Sequence, residues 1–247
     1  MGMKKRRYKL VIEYDGTNFS GWQIQENART VQEELEKALS SLFDEPIRTV
    51  GAGRTDAGVH AKGQVVHFDA TKHRELYSIF RGLNSLLPDD IAVLAVEPAA
   101  EDFHARYSAI RRVYAYRICR RPSALWKRYA WIFQEPLNLH DMQRCAERIR
   151  GEHSFRAFCS TQAEVNHYKC YVHRAEWTFE RPHVLRFHIE ANRFLHNMVR
   201  VLVGTMVEVG LGKLSIEQFE QILESGDRTE AGRTAPAQGL VLEQVIY

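Results

Sequence analysis

Cysteine is scarce: four residues in 247, at 119, 145, 159 and 170, with no C-x-x-C pair and no histidine partners at zinc-finger spacing. That excludes a metal knuckle and a disulfide framework, and it fits reduced thiols in a cytoplasm. Proline is also scarce, at 7, and no low-complexity tract occurs, which excludes a disordered majority. No window of about 18 apolar residues exists for a membrane span. The basic start MGMKKRRYKLVIEYDG has only a short apolar stretch broken by Glu13, unlike a signal peptide, so a cytosolic, cytoplasmic protein is expected. Phosphate-loop spacings are missing too: the glycine-rich stretch at 51 to 58 is neither G-x-G-x-x-G nor followed by Gly-Lys-Ser/Thr.

What is present is an ordinary globular mix, 45% hydrophobic and 26% charged, in a chain long enough for one large domain or two small ones. The net charge is only +3, yet the cations cluster: KKRR at 4 to 7, RR at 111 and 112, and RICRRPSALWKR from 117 to 128. Each cluster alone reads as a solvated face. Together they make a polyanionic partner an even alternative.

Residues 8 to 14, YKLVIEY, read as a strand ended by Asp15-Gly16. The pattern from Thr30 to Phe43 puts Val31, Leu35, Leu39 and Leu42 on one helical face, with Thr30 and Glu33 spaced as a capping box. Strands are expected at IRTVGAG and GQVVHFDA, a helix over 73 to 86, and a strand at DIAVLAVEPA, giving β-α-β-β-α-β. The second half reads as a strand at RRVYAYRI, a helix over 139 to 150, and a hairpin of CYVHRAEWTFE and HVLRFHIEAN turning at Arg181-Pro182. A long helix over about 193 to 210, capped at Gly210, and a last strand, LVLEQVIY, complete it. The class is α+β rather than a parallel doubly wound sheet.

The stretch GAGRTDAGVHAKGQVVHFDA, residues 51 to 70, surrounds one carboxylate, Asp56, with Gly51, Gly53, Gly58, Arg54 and His60. Two readings fit it. The glycines could make a tight hairpin with Arg54 and Asp56 as an exposed, weak ion pair. Alternatively, glycines let backbone approach a ligand while a neighbouring cation keeps the aspartate ionised as a nucleophile. An aspartic-protease site would need a second D-[TS]-G or a second copy of the chain, and His60, His67 and Asp69 match no H-E-x-x-H pattern.

G-R-T-D-A-G-V-H-A followed by G-Q-V-V-H-F resembles the signature loop of the TruA family, tRNA pseudouridine synthase I. The similarity continues through EYDGTNFSGWQIQ with TVQEELEKAL, GLNSLLPDDIAV, FHARYSAIRRVYAY, ANRFLHNMVRVLVGTMVEVG and AGRTAPAQGLVL, in that order over nearly the whole chain. The sequence departs from the family's usual pattern at Val113, where a charged or polar residue is common.

The resemblance implies an isomerase that converts uridine to pseudouridine at positions 38, 39 and 40 in the tRNA anticodon stem-loop, without cofactor or metal. It implies two α+β subdomains, 1–105 with the aspartate loop and 106–247 with a tyrosine strand and an arginine helix. Their antiparallel sheets would join into one extended sheet flanked by helices, the pseudouridine synthase fold, with the cleft between them. It implies a homodimer with a basic groove, for which 111, 112 and 117 to 128 are candidates.

By the same resemblance Asp56 is the catalytic aspartate, attacking either C1′ of the ribose or C6 of the base. Arg200 is the cation that keeps it ionised, and Tyr114 stacks on the target base and assists at C5. Tyr116 shares the face of Tyr114, and only the motif separates the two. Arg54 would enter the space left by a flipped nucleotide, or else pair with Asp56. His60, Lys62, Arg106, Arg111 and Arg112 are candidate phosphate contacts.

Overall fold

A computed structural model describes residues 5–161 and 166–247, arranged as two compact units. The first comprises residues up to Ile110 together with Leu242–Tyr247; the second is Arg111–Val241. The class is α+β, as expected.

In the first unit, β1 (Arg6–Tyr14) alternates so that Tyr8, Leu10, Ile12 and Tyr14 are buried while their neighbours are more open. This period of two follows from the pleat, which sends successive side chains to opposite faces. Helix α1 (Val31–Phe43) packs its Val31, Leu35 and Leu39 stripe inward, and Phe43 closes an aromatic cluster with Tyr8 and Phe68 at centroid distances of 5.9 and 5.5 Å. Burying one such ring stabilises by roughly 1.5–3 kcal/mol. The capping box expected at its start is only half formed. Thr30 Oγ1 accepts from the Glu33 amide, but the Glu33 carboxylate pairs with Lys37 at 2.9 Å instead of turning back.

Strand β2 (Thr49–Gly51) and β1 both pair antiparallel with β3 (His60–Ala70). Helix α2 (Leu76–Leu86), shorter at its start than the pattern implied, packs on β4 (Ile91–Ala99), which pairs with the other edge of β1.

In the second unit, β5 (Arg111–Cys119) is joined in parallel by the short β6 (Trp131–Ile132). Then come α3 (Leu139–Arg148), β7 (Gly151–Ser154), β8 (Lys169–Arg181) and β9 (Val184–Ala191), giving the antiparallel order β5-β9-β8-β7. The hairpin expected to turn at Arg181-Pro182 does so one residue later, at Pro182-His183, with Arg181 still paired to Val184.

Helix α4 (Met198–Gly210) packs on this sheet, with Trp177 Nε1 3.3 Å from Met206 Sδ and Phe187 5.0 Å from Trp177. On the opposite face Arg186, His188 and Glu190 lie outside that apolar layer, and Arg117 is buried in an ion pair with Glu180 at 2.8 Å. Arg117 is thus structural and leaves the candidate basic groove.

The long helix begins later than expected. Asn197 sits at its N-cap with φ of 64°, which breaks the helical path that the apolar pattern carries back to Arg193. At the other end the left-handed residue is Gly212 (φ 71°), not Gly210, which is still helical. A further helix, α5 (Ile216–Ser225), holds the reciprocal capping box between Ser215 and Gln218. The last strand, β10 (Leu240–Ile246), passes into the first unit from Leu242 onward. There Ile246 C=O accepts from Ile110 N–H at 2.8 Å and the Tyr247 hydroxyl donates to Ala105 C=O at 2.7 Å.

Candidate active site

Asp56 opens a turn that the first unit fastens from both sides. Before it, Thr55 is buried, its hydroxyl 2.8 Å from that of Tyr14, and its carbonyl accepts from the Trp22 amide at 3.0 Å. Burial pushes the Tyr14 phenol up to about 12, so it stays neutral and able to donate. After it, the Asp56 carbonyl accepts from Val59 N–H at 3.1 Å and Gly58 N–H reaches Phe19 C=O at 3.3 Å. Closing this four-residue turn puts Gly58 at φ 77°, a conformation a side chain would strain.

Gly21 supports the turn from outside, at φ 96°. A Cβ there would sit 2.7 Å from the Thr55 carbonyl oxygen. Asp56 itself is half-buried, between a buried Thr55 and an exposed Ala57, on a backbone that these bonds fix. Arg54 is exposed and does not ion-pair with Asp56; among the described residues no side chain pairs with Arg54. The simple hairpin ion pair is therefore not what these residues make.

In the second unit, Tyr114 and Tyr116 share a face of β5 but differ in what they do. Tyr116 is 0% exposed and donates its hydroxyl to Pro236 C=O at 2.7 Å, so it is a core residue with its polar atom satisfied. Tyr114, at 7%, stands edge-on to Phe194 with centroids 5.0 Å apart and planes at 84°. Phe194, from the turn before α4, was not singled out by the sequence; it braces one edge of the candidate base-stacking ring.

Arg200 lies in the first turn of α4, where the helix dipole disfavours a cation. Explicit acceptors offset this. Its Nε donates to Ala235 C=O at 2.8 Å and its Nη1 to Asn197 Oδ1 at 2.9 Å, fixing the plane of the guanidinium.

A family model described as tRNA pseudouridine synthase matches residues 10–108 and 145–247, taking in the Asp56 turn, the Arg200 helix and the Ala235 segment that holds it. The chain belongs to the tRNA pseudouridine synthase family. That family is one of isomerases. The chain is 44% identical to a tRNA pseudouridine synthase A of Ruminiclostridium cellulolyticum, over 98% of this chain and all of that relative. It is 43% identical to the enzyme of the same name from Bacillus subtilis, over 98% of this chain and 99% of the relative. A Streptococcus mutans tRNA pseudouridine synthase A is 42% identical, with 98% of both chains covered.

For a member of the tRNA pseudouridine synthase family, the value of each candidate cation depends on what already holds it. His60 is 4% exposed, its Nδ1 3.0 Å from Gly16 N–H and 3.1 Å from Asp15 Oδ1. It clamps the loop after β1 to β3 and is too enclosed to reach a phosphate; burial, invisible in the sequence, removes it from the candidate contacts. Lys62 is exposed but pairs with Glu243 at 3.3 Å. Arg106 is exposed, 5.6 Å above the Tyr107 ring. Arg111 is bound to Glu190 at 2.7 Å, and Arg112 donates to Asn192 C=O at 2.9 Å. All four cysteines are buried free thiols, and burial pushes those of Cys145 and Cys170 up to about 12.

Proposed function

We propose that this chain isomerises uridine to pseudouridine in tRNA, at positions 38, 39 and 40 of the anticodon stem-loop, with Asp56 as nucleophile. The observation that carries the reading is the Asp56 turn: a single carboxylate, held by Thr55 on one side and Gly58 on the other, in the chain's match to the family.

The chemistry sets three demands. The N1 to C1′ bond must break, the uracil must turn, and C5 must bond to C1′, while C5 loses its hydrogen to solvent as a proton and N1 takes one up. An ionised carboxylate adds to C1′ or to C6 to start the exchange and leaves when the new bond forms. Asp56 supplies it, and the oriented guanidinium of Arg200 is the counter-charge that keeps it ionised. The base must leave its stack to be reached, and Tyr114, fixed edge-on by Phe194, offers a ring for it to lie against.

In this reading Arg54, exposed and unpaired among the described residues, fills the place of the flipped nucleotide. Lys62, Arg106, Arg111 and Arg112 contact phosphates, which position RNA without reading its sequence. The first unit supplies the aspartate loop and the second the Tyr114 strand and the Arg200 helix, working as a cytoplasmic homodimer without cofactor.

The test is tritium release from tRNA carrying 5-tritiated uridine, since bonding at C5 expels that hydrogen. Release by the parent and none by Asp56→Asn, with tRNA binding kept, is expected. Turnover by Asp56→Asn would overturn the role of Asp56. Tight binding with no release from the parent would leave an RNA-binding module instead.

A further inference from the structure

Arg233 lies in AGRTAPAQGL, the segment between α5 and β10. Its backbone is fixed first. Arg233 C=O packs so closely on Gly204 of α4 that no Cβ fits there, Gly232 N–H donates to Thr205 Oγ1 at 3.0 Å, and Ala235 N–H donates to Arg200 C=O at 3.1 Å. The same segment gives Ala235 C=O to Arg200 Nε and Pro236 C=O to the Tyr116 hydroxyl. Arg233 is therefore carried on the strap that orients Arg200, one of the candidate catalytic residues.

Its side chain is placed next, beside two aromatic rings. The guanidinium carbon lies 4.6 Å from the Trp131 ring centroid and 5.8 Å from that of Phe133, both rings buried. A guanidinium stacked on a ring keeps its N–H edge for other partners. Among the described residues that edge meets no acceptor, and the nearby Glu208 carboxylate instead accepts the Arg233 backbone amide at 3.3 Å.

Arg228, five residues earlier, differs: its guanidinium donates to Ala231 C=O, Gly232 C=O and Thr234 Oγ1, all at 3.2 Å. Arg228 tightens the strap, whereas Arg233 holds five donors outward from an exposed position. The turn Trp126–Arg128, with exposed Lys127 and Arg128, packs beside the turn Ala237–Gly239 at the other end of the strap and adds positive charge there.

We propose that Arg233 is a phosphate anchor for the RNA substrate, a pre-oriented guanidinium that takes one backbone phosphodiester through its open N–H edge. The inference rests on the pseudouridine synthase reading. A planar fork matches two phosphate oxygens, and stacking lowers the entropy lost when it binds.

The experiment compares the parent, Arg233→Met and Arg233→Lys by three readouts: KM and kcat in tritium release, the slope of log Kd for tRNA against log salt, and the melting temperature. Removing one phosphate contact is expected to reduce the steepness of that slope by about 0.7–0.9 and to raise KM by roughly five- to tenfold. The loss falls on KM rather than kcat. Arg233→Lys keeps the slope and shows an intermediate KM, because the charge stays and the fork goes.

An unchanged slope and KM in Arg233→Met would overturn the proposal, as would a lowered melting temperature with the slope intact, which marks a packing role only. Protection of the parent by inorganic phosphate, lost in Arg233→Met while the tRNA slope stays the same, would overturn it in favour of a free-anion site. If the parent releases no tritium but Arg233→Met still flattens the slope, the anchor stands and the catalytic reading fails. Release with no change in slope gives the reverse.

Discussion

Arg200 and Ala235 bond to each other twice: the Arg200 Nε donates to Ala235 C=O at 2.8 Å, and Ala235 N–H returns a bond to Arg200 C=O at 3.1 Å. A guanidinium at the start of a helix gains nothing from the dipole; the Ala235 and Asn197 acceptors on Nε and Nη1 set its plane, and the returning backbone bond holds the Ala235 segment to the helix. Lysine cannot reproduce it. Arg200→Lys keeps the charge and loses the fork, and it is expected to lower kcat by about 10- to 100-fold, the worth of one or two charge-assisted bonds. Single-turnover tritium release beside a melting curve checks this: a loss of rate with the melting temperature near that of the parent is the expected result.

Tyr114 and Tyr116 make a paired prediction. Tyr116→Phe strands the Pro236 carbonyl that now accepts its hydroxyl and should cost about 1–3 kcal/mol in urea unfolding, with turnover per folded molecule largely kept. Tyr114→Phe keeps the edge contact with Phe194, so stability should hold, while any proton transfer the hydroxyl assists is lost, about a 100-fold effect on kcat or more. If the two variants exchange these phenotypes, Tyr116 is the functional ring.

Much of the frame was legible because local rules decided it. Helix α1 follows from the spacing of Val31, Leu35 and Leu39 behind the Thr30 cap, and the β8–β9 hairpin from its alternation on either side of Pro182. Other features were set by partners that a linear pattern does not name. Glu33 has the capping-box position but a better partner in Lys37, whereas Ser215 and Gln218, at the same spacing, form the full box. Alternation marked LVLEQVIY as a strand but could not say that its residues from Leu242 return to the first unit. At the site, the glycine-rich loop and Asp56 were legible. The burial of His60 and Arg117, and the bracing by Phe194, Asn197 and Ala235, depend on neighbours distant in the chain.

Gly21 tests whether the Asp56 turn is held from outside. It contributes no side chain, and its φ of 96° with the Thr55 carbonyl 2.7 Å from a modest Cβ means that alanine must push back the residue before Asp56. Gly21→Ala is expected to cost about 1–2 kcal/mol through strain and, beyond that, to lower kcat by displacing the carboxylate. Activity measured per folded molecule, from unfolding curves and rates on the same sample, separates the two. A loss that only tracks the folded fraction would show that the turn tolerates the shift.

His67 gives the sign of the acid response. It is buried beside Arg7 and His104, and its Nδ1 accepts from the Ala105 amide at 3.1 Å. Burial first, and then the Arg7 guanidinium and the neighbouring His104 ring against the weaker pull of Asp69, lowers it from the ordinary 6.5 to about 4. The unfolded chain therefore binds a proton that the folded chain refuses. Stability from this group is complete above about pH 6.5, falls as pH drops through the interval, and levels off below about 4, by ~3 kcal/mol at most. Burial also lowers His188, which acts in the same direction, whereas Asp69, held down by its hydrogen bond to Arg7, loses its contribution only at lower pH.

Urea unfolding at pH 7 and pH 5 should show the parent weaker at the lower pH. His67→Leu should start less stable, because the Ala105 amide loses its acceptor, yet show a smaller difference between the two pH values. An equal difference in parent and variant would assign the slope to His188 and the carboxylates instead.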